Sequence, residues 1–293
     1  MPQSSFHTPS DVLRFAAKQY RAGVPLALVI VTDVTGGAMR GRGALMCVSA
    51  DEAAGYVSNG CVDADIIFQA RALLGTGDSK TLRYGEDSPF KDITLPCGGR
   101  IDVLITAKID TLNLEVISQA LDARRAAEFK ADDFTITYAP PLRLRIVGRG
   151  EAVAALSKQA SSAGFDVVLQ SPDKDIAKGL SLTRFDHLTD PNTPPEHDDD
   201  AWSAVIVMFH DHDWEPHILA QAARGPAFYI GAMGSPRTHE LRKAALKAQG
   251  LSADEIARIH GPIGLIPSMR DANLLALSTL AQVVDCAQKG GVL

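Results

Sequence analysis

The sequence predicts an α/β fold whose second half is a parallel sheet covered by helices. Three observations carry that prediction. The chain of 293 residues is 46% apolar, enough for sizeable cores, and its apolar residues switch between strand-like and helix-like spacing along most of the length. Near the middle stands LRLRIVGRGEAVAALSKQASSAGFD, Leu142 to Asp166, where a short apolar run, two close glycines, a segment of helical period and a second apolar run follow one another. Further on, Ala204 to Phe209 (AVIVMF) is apolar without a break, as in a strand buried on both faces of a parallel sheet.

The middle stretch sets the architecture. Leu142, Leu144, Ile146 and Val147 follow Pro140-Pro141 and read as a strand entered sharply. Gly148 and Gly150 permit a tight turn with open backbone amides. From Glu151 to Ser162, Val153, Ala154, Leu156 and Ala160 recur at helical spacing, Gly164 suits the helix end, and Phe165 to Leu169 starts another strand. Strand, glycine turn, helix and strand open a Rossmann-like, doubly wound parallel sheet, whose turn amides and helix N-terminus would hold the pyrophosphate of a nucleotide such as NAD(P). Val153 stands where a third glycine would complete the fingerprint, Glu151 would repel a phosphate, and Asp173 comes late for a ribose-binding acid. An α/β scaffold without a nucleotide is the alternative. The boundary is placed at Pro140-Pro141, dividing an N-terminal α/β domain (1–139) from the Rossmann-like domain (140–293).

In the first half, Ser10 is a candidate cap for a helix over Asp11 to Tyr20. Strands are expected at Leu26–Thr32, Ala44–Ser49, Gly55–Ser58, Thr81–Tyr84, Arg100–Ala107 and Phe134–Tyr138. Helices are expected over Val62–Leu74, ending at Gly75, and over Leu112–Phe129. In the second half, Asp190 to Asp200 (DPNTPPEHDDD) reads as a solvated acidic loop. Trp214–Ala223 is helical and Ala227–Ile230 a strand. Ser235 caps the next helix with Pro236 at its first position, and Ser252 with Glu255 makes a capping box for a helix reaching about His260. Ala272–Ala287 closes the chain as a helix.

Charge and composition exclude several classes. A net charge of −6 argues against a general nucleic-acid binder, which needs a basic face. No apolar run reaches the roughly 18 residues a membrane helix requires. The N-terminal MPQSSFHTPSD has neither a basic nor an apolar segment of a secretory signal. Four cysteines (Cys47, Cys61, Cys97 and Cys286) do not make a disulfide framework in a chain this long. A cytoplasmic protein with reduced thiols is expected, and a homodimer on the general frequency of two-fold pairs.

Chemistry-bearing residues gather in loops. Gly36 to Gly43 is glycine-rich and carries Arg40 and Arg42; Ser58 to Asp63 reads SNGCVD; Cys97-Gly98-Gly99-Arg100 precedes a strand. Cys61 and Cys97 stand beside glycines, where a ligand can approach the backbone and a thiol has room to react. Cys61 also opens a helix, whose positive end favours the thiolate. Asn59 and Arg40 would add donors to an anion. A zinc site is not indicated, since no C-x-x-C pair exists, and a lone cysteine is more usually a small buried hydrophobe, the reading given to Cys47 and Cys286. In the second half, His210-Asp211-His212-Asp213 follows a strand end where ligands bind in such sheets. Gly231 to Ser235, with Gly234 and Arg237, offers glycines, a helix N-terminus and a guanidinium to an anion.

Together these stretches resemble the xanthine dehydrogenase accessory protein family (XdhC/CoxI type). The resemblance runs from about Leu13 to Val284 through GGAMRGRGALM, GYVSNGCVD, CGGRIDVLI, PPLRLRIVGRG, AVIVMFHDHDWE, YIGAMGSPRTHELR and ARIHGPIGL. It implies a cofactor carrier rather than an enzyme. Such a chaperone binds the molybdenum cofactor (molybdopterin), promotes its sulfuration and inserts it into a molybdenum hydroxylase client of the xanthine dehydrogenase type, with a cysteine desulfurase as a further partner. In that picture Cys61 and Cys97 act as ligands to the molybdenum or as sulfur relays, flanked by Asn59, Gly60, Asp63, Gly98 and Gly99. Gly148, Gly150, His210, Asp211, Gly231, Gly234, Ser235 and Arg237 add cofactor contacts. The sequence departs from the family pattern at several places. Asn59 replaces a glycine, Asp63 a glutamate, Met39 a proline and Glu151 a histidine, and Ser268–Ala276 differs from the usual C-terminal motif. An NAD(P)-dependent oxidoreductase is the alternative function.

Overall fold

The computed structural model describes residues 8–37, 40–58, 60–88, 98–109, 111–193, 195–209 and 213–293. The chain divides into two compact units, Met1–Pro140 and Pro141–Leu293.

The N-terminal unit is a five-stranded antiparallel sheet with helices on both faces. Its elements are α1 (Pro9–Arg21), β1 (Leu26–Thr35), β2 (Leu45–Ser49), β3 (Ala53–Gly55), α2 (Asp63–Ala72), β4 (Ser79–Gly85), β5 (Arg100–Thr106), α3 (Thr111–Asp122), β6 (Ala127–Ala131) and β7 (Phe134–Tyr138). The sheet order is β3-β2-β1-β5-β4, with β6 and β7 a separate hairpin. The central strand β1 is buried on both faces because its two side-chain rows enter different cores. Ala27, Val29 and Val31 pack with Val62, Ile66 and Ala70 at α2. Leu26, Leu28 and Ile30 pack with Val12, Leu13 and Ala16 of α1 and with Leu114, Ile117 and Leu121 of α3.

Two expectations are corrected here. The first helix is capped by Thr8, not Ser10: Thr8 and Asp11 form a reciprocal capping box, Pro9 takes the first turn, and Ser10 is buried. The helix expected over Leu112–Phe129 stops at Asp122. Arg124 takes a left-handed φ of 55°, and Phe129 and Ala131 then alternate inward as a strand against β7. Hairpin pairing with β7 and the burial of Phe129 and Ala131 against α1 and α3 override the helical pattern there.

The C-terminal unit comprises β8 (Arg143–Gly148), α4 (Glu151–Ser162), β9 (Asp166–Ser171), β10 (Arg184–His187), β11 (Ser203–Met208), α5 (Glu215–Arg224), β12 (Tyr229–Ala232), α6 (Pro236–Ala248), α7 (Ala253–Ala257), β13 (Ile259–His260) and α8 (Ala272–Lys289). Its six strands are all parallel, in the order β10-β9-β8-β11-β12-β13. Counted within the unit that is 3-2-1-4-5-6, the doubly wound Rossmann-like arrangement, reversing direction between β8 and β11. Leu144 and Ile146 face α4 and α8, while Val147, Val205 and Val207 face the core shared with α5. The helix expected to reach His260 ends at Ala257, because Ile259 and His260 pair with Ile230 and Gly231 of β12.

The acidic stretch before β11 is exposed at Asp190, Asn192, Thr193, Glu196 and Asp198, as its composition suggests, but its Asp199 side chain is buried. Asp199 and Arg145 are each 1% exposed and joined at 2.6 Å, and Arg145 also donates to Gln170 Oε1 at 3.2 Å. Arg143 pairs with Asp166 at 2.8 Å and with Asp198 at 2.9 Å. The connection from β10 to β11 carries no helix among the described residues. Its carboxylates instead pair with arginines that alternate with Leu144 and Ile146 on β8, so the buried charge is matched.

Candidate functional site

The carboxylate of Asp63 builds the turn that carries Cys61. Asp63 is 5% exposed. Its Oδ1 accepts from the backbone N–H of Val57 at 3.1 Å and of Ser58 at 2.9 Å, and its Oδ2 accepts from Gly60 N–H at 2.6 Å. Ser58 Oγ accepts from Val62 N–H at 2.9 Å. The turn is amide-rich, yet these four amides serve the turn itself and are not bare donors for an anion. Asp63 also sits at the start of α2, where negative charge is favoured. Cys61, two residues earlier, is left exposed on the outside.

The neighbouring glycines behave similarly. A Cβ on Gly36 would stand 3.1 Å from Gly99 Cα, and one on Gly85 would run into the Gly99 carbonyl oxygen. These strand ends use glycine to let the chain approach itself, whereas Gly60 and Gly98 border open space. Beside them Arg100 pairs with Asp33 at 2.6 Å, holding that carboxyl below its usual range, and Arg83 grips Asp102 through two bonds of 2.8 Å. Of the two arginines in the Gly36–Gly43 loop, Arg42 lies over the Phe134 ring at 4.9 Å and donates to Thr135 O at 3.3 Å, tying the loop to the β6–β7 hairpin. Arg40 is half-buried. Asn59 and Cys97 lie outside the described residues, as do His210, Asp211 and His212.

The remaining thiols suit packing. Burial pushes the Cys47 thiol up to about 12, and Cys286, half-buried on α8, is also raised by burial, with Asp285 adding to it. Neither presents a ready thiolate. Among the described residues, no group of three or more His, Cys, Asp or Glu side chains could hold a metal ion.

In the C-terminal unit the strand ends open onto a cavity of about 990 Å³, large enough for a nucleotide-sized ligand. Arg149, Gly150 and Glu151 come from the turn after β8, Asp173 from the turn after β9, and Met208 and Phe209 from the end of β11. Met233, Gly234 and Ser235 come from the turn after β12, and Ser268 to Arg270 close the remaining side. The cavity thus lies where the strand order reverses.

The β12–α6 turn is held by a buried pillar. Arg242 and Glu215 are each 3% exposed at their side chains and paired at 3.0 Å, and Arg242 Nη2 donates to the Met233 carbonyl at 2.7 Å. Ser235 accepts from Thr238 N–H and caps α6, with Pro236 in its first turn. Gly148 and Gly231 serve packing and are not among the cavity's lining residues. A Cβ on Gly148 would strike the Met208 carbonyl of the neighbouring strand, and one on Gly231 would meet Tyr229 and Ile263 at 2.7 Å. Arg237 is exposed and does not line the cavity either; the guanidinium that organises the turn is Arg242.

Residues 19–85 match the XdhC and CoxI family, and residues 144–283 match the XdhC Rossmann domain. The chain is 33% identical over 307 aligned positions to the molybdenum cofactor insertion chaperone PaoD of Escherichia coli (strain K12), spanning 97% of this chain and 91% of that one. This chain belongs to the XdhC/CoxI family. A second relative from the same organism, the uncharacterized protein YqeB, is 22% identical over 94% of this chain and 46% of its own length. A crystal structure described as a xanthine dehydrogenase from Bacillus halodurans superimposes with a TM-score of 0.77 at 19% identity, covering 94% of this chain and 96% of that one. That likeness concerns the fold. Against the family frame, sequence reasoning missed the Arg149 and Arg270 walls and the Glu215–Arg242 pillar. The last pair is 27 residues apart and has no local signature. Arg270 lies in the stretch that departs from the family's C-terminal motif.

Proposed function

We propose that this chain is a cytoplasmic carrier and insertion chaperone for the molybdenum cofactor, acting on a molybdenum hydroxylase client such as a xanthine dehydrogenase. The observation that carries the reading is its collinearity with PaoD across 97% of the chain. The Cys61 turn supplies the matching chemistry. A thiol held outward on a backbone pinned by Asp63 can meet the metal end of a cargo without the loop reorganising. Promotion of sulfuration, with sulfur supplied by a cysteine desulfurase, belongs to the same proposal, with Cys61 and Cys97 as the thiols that receive cargo or sulfur. A homodimer is its assembly.

The test is retention of cargo. The purified protein is incubated anaerobically with cofactor released from a molybdoenzyme, separated by gel filtration, and assayed for pterin by oxidation to its fluorescent product. Near-stoichiometric pterin on the wild type and strong loss on Cys61→Ala are expected. No pterin on the wild type, or equal amounts on the variant, overturns the proposal. An NAD(P)-dependent oxidoreductase is the competing reading, favoured by the cavity at the strand reversal. It requires substrate-dependent reduction of NAD(P)+, which a carrier does not catalyse.

A further inference from the structure

The outer face of α8 is apolar where a solvated helix would be polar. Its inner face, with Ala276, Leu280 and Val283, packs into the core of the C-terminal unit. On the other side Leu274, Leu277, Ala281 and Val284 are exposed, alternately three and four positions apart. That is the spacing of a seam between paired helices. Leu265 and Ile266 widen the stripe. The Leu265 N–H donates to the Ser278 carbonyl at 3.1 Å and the Ile266 N–H to Ser278 Oγ at 2.8 Å, which fixes that segment against α8 next to Leu277. The five large aliphatics of the stripe are 39% to 59% exposed. Together they leave on the order of 400–500 Å² of apolar surface open, the apolar share of an interface of roughly 800 Å² per partner.

The charges at the two ends of α8 select the occupant. Arg270 and Asp271 precede the helix, and Asp285 and Lys289 stand in its last turns. Two copies laid antiparallel set Leu274 over the partner's Val284 and Leu277 over the partner's Ala281, large against small. The same register brings Arg270 to the partner's Asp285 and Asp271 to the partner's Lys289, each within about one helical turn. A parallel pair would set like charges together. We propose that this stripe is the docking surface for a second copy of the chain, α8 against α8, antiparallel about a two-fold axis. The proposal gives the homodimer of the carrier reading its surface and rests on that part of the reading alone. Arg270, Ala272 and Leu275 near the start of α8 line the cavity, so the two cavities lie at opposite ends of the paired helices.

Sedimentation equilibrium of the full chain without cargo tests this. A dimer with a Kd of about 1 µM or tighter is expected for an interface of this size. Leu277→Glu buries a charge beside the two-fold axis and should raise that Kd about 100-fold or more. Its circular dichroism should stay that of the wild type, because the side chain is exposed in the single chain. Phe68→Glu alters a still more exposed apolar residue outside the stripe and should leave the Kd unchanged. Lys289→Glu sets like charge against the partner's Asp271 and should weaken the dimer about three- to ten-fold at low salt. A wild type that stays monomeric at about 100 µM, which would leave the stripe to a different protein, overturns the proposal. So does a dimer indifferent to Leu277→Glu or tightened by Lys289→Glu. A monomer that retains pterin would count against this surface alone, and a dimer that retains none against the carrier reading alone.

Discussion

The Cys61 turn and the cavity of the C-terminal unit both begin as glycine-rich turns before a helix, and they use their backbones in opposite ways. In the first, a buried carboxylate of the chain itself collects three amides, and a thiol is left outside. In the second, Gly150 borders open space and the charged residues around it face a cavity. One turn is closed on itself and offers a side chain; the other is open and offers a hollow. Glycine in a turn therefore does not announce a ligand site. What matters is whether the chain's own groups already occupy the approach.

Substitutions can break this contrast. The largest effect is expected for Glu215→Ala, which strands the buried Arg242 under the β12–α6 turn and should cost about 3–5 kcal/mol. Urea unfolding measures it, and a loss below about 1 kcal/mol would mean that the pillar does not hold the turn. Asp63→Ala leaves the Val57, Ser58 and Gly60 amides without their acceptor and should cost ~2–3 kcal/mol. It should also abolish pterin retention although the thiol is intact; full retention would show that Cys61 needs no fixed turn.

Acid should sharpen the comparison from the other side. Burial alone would raise the Asp199 carboxyl, but the His197 hydrogen bond and the Arg145 charge outweigh it and hold it below its usual range. Asp198 is likewise lowered against burial by Arg143 and Arg184. A carboxylate lowered on folding adds stability above its unfolded pKa, and that contribution disappears as pH falls through the folded value. The stability gap between the wild type and Asp199→Asn should therefore narrow below about pH 4. Denaturation midpoints that stay parallel across that range would contradict this account.

Smaller effects test the glycines and the thiol. Gly98 has a φ of 64° and open space around it, so Gly98→Ala should cost only the left-handed strain of about 1 kcal/mol. A larger loss would reveal a contact at that site. Cys61→Ser should leave stability within roughly 0.5 kcal/mol, as expected for an exposed side chain, while removing cargo retention. Those two results together would separate presentation of the thiol from support of the fold.

Much of the scaffold was legible because its signals are local. The β8–α4–β9 unit follows directly from the apolar runs, Gly148, Gly150 and Gly164, and the helix bounds Glu151–Ser162 coincide with the periodic segment. The capping roles of Ser235 and of Ser252 with Glu255 were readable for the same reason. The site was less legible. Asp63 reads as an ordinary acid at a helix start until its partners at Val57, Ser58 and Gly60 are placed. Asp173 reads as an isolated acid until the cavity it lines is assembled.

By itself, the order of residues determined the strand and helix alternation, the parallel character of the second half and the family likeness, since each is written in neighbours a few positions apart. Only the folded chain decided which glycines touch backbone and which border space, and that Arg145 is matched by Asp199, 54 residues away. The physical reason is range. Periodicity and capping act over one or two turns of chain, whereas the burial of a charge or the emptiness of a cavity depends on segments that meet only after the sheet has assembled.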